Sequence, residues 1–154
     1  MAVDLKSAVQ NAVSEQNLVP ITVSEELEKK YLKNVKSSAI KLIPISFIVA
    51  AVAGLILFLL VYFLRIIAIS ALALFCIIFP IYAVYDAIAT SKAIRNHDYE
   101  FFSGEVIGKA DNSYIIKGLE NQKASILFGK DFYANGDKAI VARIKDDLNL
   151  ISED

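Results

Sequence analysis

The sequence predicts an α+β membrane protein: a two-helix transmembrane hairpin, preceded by amphipathic amino-terminal helices and followed by a small five-stranded β-barrel of the OB or SH3-like kind. Three observations predict it. Apolar residues make up 56% of the 154-residue chain and gather in one central block instead of spreading at helical or strand period. From Leu42 to Tyr85 the only charged residue is Arg65. After Tyr99 the pattern changes to short β-branched and aromatic runs punctuated by Asn, Asp and Gly.

The apolar block is too long for one crossing, since a bilayer core of about 30 Å needs only ~20 helical residues. It divides into residues 42–62 and 66–85, with Arg65 at the division, so the hairpin occupies 42–85. Tyr62, Arg65, Tyr82 and Tyr85 are the expected interface anchors, because aromatics and cations favour the headgroup zone. Ser46, Ala50 and Gly54 recur every four residues and form the expected helix-packing face of the first span. Ala68, Ser70 and Ala71 would supply the facing surface of the second, or another protomer would. Pro44 is expected in the first turn of its helix, where a missing amide donor costs little, and Pro80 is expected to kink the second helix. The turn between the spans has no glycine, proline or asparagine, so its position rests on span length and charge.

Lys29, Lys30, Lys33, Lys36 and Lys41 precede the first span, and Lys92 and Arg95 follow the second, against Arg65 alone in the turn. That bias predicts both termini on the cytoplasmic side, in the plasma (inner) membrane. The first residues carry no apolar stretch with a small-residue cleavage site, so the hairpin itself is the expected insertion signal.

Residues 1–41 read as cytosolic amphipathic helices. Leu5, Ala8, Val9, Ala12 and Val13 recur at helical spacing until Asn17 to Pro20 interrupts them. Ser24 is the expected N-cap of a second helix, Glu25 and Glu26 suit its positive end, and Leu27, Tyr31, Val35 and Ala39 form an apolar stripe. The glutamates favour packing of this stripe within the protein over a lipid-surface role. Residues 86–98 continue the second span as a helical extension and linker.

Residues 99–154 read as a separate β-domain. Its expected strands are Glu100 to Lys109, Ser113 to Leu119, Lys123 to Phe128, Lys138 to Lys145 and Leu148 to Ile151. Asn135-Gly136 is the strongest turn signal among the breaks, since both residues tolerate positive φ. Gly104, Gly108 and Gly118 are expected to let strands bend. Fewer than sixty residues bury little surface, which predicts support from helices or from a second copy.

The chemistry-bearing residues are sparse. Catalysis needs a nucleophile with a base, or placed carboxylates, or clustered metal ligands, and the sequence predicts no catalytic residue, no metal site and no cofactor, hence no enzyme. His97 is the only histidine and sits at the helix-to-barrel junction, Asp146-Asp147 reads as a solvated turn, and Cys76 is the only cysteine. Acidic residues outnumber lysine and arginine after Tyr99, which opposes nucleic-acid binding, and no small-molecule substrate is indicated.

A helical hairpin followed by a compact five-strand domain is similar in layout to NfeD-type membrane proteins. The resemblance implies an OB-fold for the cytosolic part and carries no functional residue. The expected partners are the lipid bilayer and a protein partner or second copy of the chain. The expected function is a membrane-anchored interaction and assembly module presenting its barrel near the bilayer. A subunit of an oligomeric channel or transporter, and a membrane-shaping hairpin protein, are the alternatives.

Overall fold

The structure is a computed structural model that describes residues 4–64 and 73–153. Among these lie three helices, α1 (Leu5–Ser14), α2 (Glu25–Leu64) and α3 (Ala73–Arg95). The six strands are β1 (Leu18–Pro20), β2 (Tyr99–Ala110), β3 (Ser113–Ile116), β4 (Ala124–Phe128), β5 (Lys138–Ile144) and β6 (Asp147–Ile151). The contacts divide the chain into a β unit, Met1–Leu32 with Ala93–Asp154, and a helical unit, Lys33–Lys92.

Strands β2 to β6 form the expected closed five-stranded barrel. Strand β2 pairs antiparallel with β3, β3 with β4, β4 runs parallel to β6, β6 pairs antiparallel with β5, and β5 returns to β2. Strand β2 is long enough to serve both ends of this circuit because its register shifts between Val106 and Gly108, a bulge that bends the strand. Tyr114, Ile116, Val141 and Leu150 are among the side chains closing the interior. The turn before β5 has the predicted chemistry: Gly136 has φ +92°, its N–H donates to Val106 O at 2.8 Å, and Asp137 N–H donates to Ala134 O at 3.1 Å.

The amino-terminal segment has the two expected helices with their break at Asn17 to Pro20, and that break holds a strand that was not expected. Residues predicted to interrupt two helices form β1, which adds antiparallel to β2 with Leu18 opposite Gly104. Leu18 is 1% exposed, and a Cβ on Gly104 would lie 2.7 Å from its Cδ2 and 2.9 Å from Ile116 Cγ2. Glycine at 104 therefore serves close approach. The Ile21 N–H donates to Phe101 O at 3.0 Å, so by strand alternation Pro20 turns its donorless nitrogen to the outer edge and blunts it. Helix α1 joins the same core through Leu5, Val9 and Ala12.

Both helices that feed the sheet end alike. Asn17 N–H reaches back to Ala12 O and Asp98 N–H to Ala93 O, each at 2.9 Å, with Gln16 and His97 at φ +59° and +54°. These are Schellman caps built without glycine, which hid them from composition-based reading.

Helix α2 is continuous from the amphipathic segment into the first apolar block, about 60 Å at 1.5 Å per residue. Ser24 caps it as expected, its Oγ accepting from Leu27 N–H at 3.3 Å. Pro44 lies deep inside this helix and not in a first turn. No turn-forming residue stands between Lys41 and Pro44, so the helix runs through the proline and leaves the Ile40 carbonyl without its amide donor. Helices α2 and α3 are both long and apolar enough to cross a membrane, and only 6% of the most apolar stretch of α2 is buried.

Candidate functional site

The helix-packing residues expected from the sequence have unequal surroundings. Ser46 is fully buried, its hydroxyl donating to the Ile43 carbonyl at 2.6 Å. That hydroxyl finds an acceptor one turn back, so it can sit at a helix contact without an unsatisfied donor. Ala50 is half-buried and lines an interhelical groove of 510 Å³ with Phe47, Cys76, Pro80, Ile81 and Val84. Gly54 is half-buried, but no described atom lies within 4 Å of where its Cβ would stand, so close approach at Gly54 is not made within the described chain. The small buried positions of α3 among the described residues include Ala83, Ala87, Thr90 and Ala93. The residues expected to play that part, Ala68, Ser70 and Ala71, lie outside the described residues, as does the anchor Arg65.

The remaining anchors are strongly exposed, Tyr62 at 70%, Tyr82 at 60% and Tyr85 at 68%. Tyr62 stacks on Phe58 with ring centroids 6.5 Å apart. Around them Ile48, Leu55, Phe58, Ile77, Ile81 and Ile88 also face outward. Together they form an apolar surface larger than the patches usual on soluble monomers.

The β unit carries a groove of 720 Å³ that periodicity does not reveal, because α1, the segment after β1 and the start of β2 build it together. Val9 and Val13 of α1, Ile21 and Val23 of the connector, and Phe101 and Phe102 of β2 supply an apolar lining, with Glu28, Tyr99 and Glu100 beside them. Tyr99 donates its hydroxyl proton to Glu28 Oε1 at 2.5 Å, and His97 Nδ1 lies 3.2 Å from the same hydroxyl. The hydrogen bond to Glu28 pushes the Tyr99 phenol up to about 12, so it stays a neutral donor at physiological pH. His97, expected as a plain linker residue, thus both caps α3 and contacts this pair. The lining has two carboxylates and no lysine or arginine, which suits an apolar segment bearing a cationic group.

Behind the rim, Arg143 is 3% exposed and is held by Asp98 and Glu100, each at 3.0 Å, while its Nη1 donates to Lys145 O at 3.1 Å. Burial alone would lower the guanidinium pKa, and the hydrogen bonds it donates to Asp98 and Glu100 more than offset it, so the group is held firmly charged. The strand register explains the cluster, since Arg143 stands directly opposite Glu100 across β5 and β2.

Among the described residues no group of three or more His, Cys, Asp or Glu side chains is placed to hold a metal ion. Cys76 is half-buried. No family model, curated protein or solved structure matches this chain.

Proposed function

We propose that this chain is a membrane-anchored interaction and assembly module. Helices α2 and α3 cross the plasma (inner) membrane as a hairpin with both termini cytoplasmic, and the β unit takes a protein partner or a second copy at the bilayer. The observation that carries the reading is the outward apolar surface of both long helices, from Phe47 to Tyr62 and from Ile77 to Ile88. Only hydrocarbon stabilises that arrangement. The strand circuit, a three-strand meander joined by the parallel β4–β6 pair and closed by β5 on β2, supports an OB-type barrel. The groove beside α1 is the surface on which a partner segment docks, with its apolar side chains on Phe101 and Val13 and its positive charge towards Glu28.

A photo-crosslinking residue at Gln10 or Thr22, both exposed at the groove, tests the docking surface in intact membranes. Adducts are expected there and not from Lys123 on the β3–β4 connection. Equal adducts at all three positions would remove the groove from the account. Release of the chain by alkaline washing, without detergent, would remove the anchor.

A further inference from the structure

Four lysines of the helical unit, Lys33, Lys36 and Lys41 on α2 and Lys92 on α3, are exposed. None of them has an ion-pair partner among the described residues. Helix α2 holds no acidic residue from Lys29 to Leu64, and Asp86 is the one carboxylate of α3. The interhelical groove sets their depth. Phe47 and Ala51 of α2 line it with Ile77, Ile81 and Val84 of α3; in a hairpin that crosses the membrane twice the helices run antiparallel, which puts Phe47 and Val84 towards one end. At 1.5 Å per residue, Lys41 and Lys92 both lie about 10 Å beyond that end of the groove. Lys36 and Lys33 follow one and two turns further along α2. Tyr85, 68% exposed, stands between the groove and Lys92.

We infer that Lys33, Lys36, Lys41 and Lys92 form a collar that binds the phosphate-bearing headgroups of anionic phospholipids. The inference rests on the membrane-spanning reading of the hairpin. A lysine is a compact point charge on a flexible apolar stem, so it can lie along the acyl boundary and place its ammonium among the phosphates. The spacing of the collar is comparable to the screening length of about 8 Å at physiological ionic strength, so the charges act on one patch of headgroups together. Continuity decides the occupant: the collar adjoins the exposed apolar band, where a lipid satisfies both surfaces with one molecule. An acidic peptide would meet only the charges.

The test is native mass spectrometry of the full chain in non-ionic detergent, titrated with phosphatidylglycerol and with phosphatidylcholine of the same acyl chains. Phosphatidylglycerol is expected to bind at least about tenfold more tightly, with Lys41→Gln removing about fivefold of the preference. The combined Lys33→Gln, Lys36→Gln, Lys41→Gln and Lys92→Gln variant is expected to fall to within about twofold of parity. Lys117→Gln, on the exposed face of the β unit, should keep the full preference. Equal binding of the two lipids by the parent chain, or an undiminished preference in the combined variant, overturns the collar. Loss of phosphatidylglycerol adducts in millimolar inorganic phosphate assigns a free-anion site and overturns it too. Absence of adducts with either lipid strikes instead at the membrane-spanning reading, which separates the two failures.

Discussion

Side chains of the same kind occupy opposite positions in the two units. In the β unit Tyr31, Tyr114, Ile116 and Leu150 are at most 2% exposed, whereas in the helical unit Ile48, Phe58, Tyr82 and Ile88 are at least 60% exposed. Strands turn alternate residues to a closed interior, so a small number of apolar side chains suffices and the outer positions stay polar. The two long helices have no such interior, and their lining positions are small: Ser46, Ala83, Ala87 and Thr90. Their large residues are left to the surroundings. The β unit is therefore stabilised by burial against itself, while the helical unit leaves its large apolar side chains exposed.

Removing the aromatic that closes the β unit is the strongest way to separate the two. Tyr31 is fully buried, meets Phe101 edge-on at 5.3 Å between centroids, and lies 3.5 Å from Asn149 Nδ2 through its hydroxyl. Tyr31→Ala is expected to cost about 3–5 kcal/mol, enough to expose the β unit to protease in proteoliposomes. Resistance to alkaline extraction should not change. If extraction changes equally, the units are not stabilised separately.

A matched pair of substitutions sharpens the contrast in solvent. Ile56 and Val19 are 53% and 55% exposed. Ile56→Lys is expected to cost about 3 kcal/mol of insertion free energy, since a charge in the middle of a span loses its hydration. Val19→Lys, on the edge strand β1, is expected to change stability by no more than about 0.5 kcal/mol. Insertion efficiency in microsomes measures the first and denaturant melting of the second; equal small effects would place both residues in water.

Within the β unit, the ion cluster should respond asymmetrically. The Asp98 and Glu100 carboxylates are about half exposed while Arg143 is buried. Replacing both by Asp98→Asn and Glu100→Gln leaves the buried guanidinium uncompensated, at a cost of about 3 kcal/mol. Arg143→Met leaves two carboxylates that water can solvate and a packed apolar stem, at about 1 kcal/mol. Urea midpoints of the two variants test the order, and the reverse order would mean that the cluster is not organised by the burial of Arg143. A smaller effect than the loss of both carboxylates is expected at the turn. Gly136→Val forces a β-branched residue to φ +92° in open space, costing about 1–3 kcal/mol through the backbone alone. Gly136→Asn should recover most of that loss, because asparagine tolerates positive φ.

What could be read in advance follows the range of the physics involved. The β-barrel strands were legible because alternation and turn chemistry are local: the predicted run Lys138 to Lys145 differs from β5 by one residue. The apolar block from Leu42 onward was legible for the same reason, since the length of a span is set by a rise per residue. The Ser24 cap was likewise legible, as its bond to Leu27 spans three residues. The groove and the Glu28–Tyr99 pair were not, because that hydrogen bond joins residues 71 apart in the chain.

By itself, then, the sequence determined the helices, the five barrel strands, the positive φ at Gly136, and a central block apolar and long enough for two spans. The tertiary structure alone decided that residues 5–20 belong to the β unit, with Leu18 filling the space that Gly104 leaves. It also decided that Pro44 lies within a continuous helix. A three-residue strand has too short a pattern to announce itself, and only its partner across the sheet supplies the hydrogen bonds and the cavity that make it a strand.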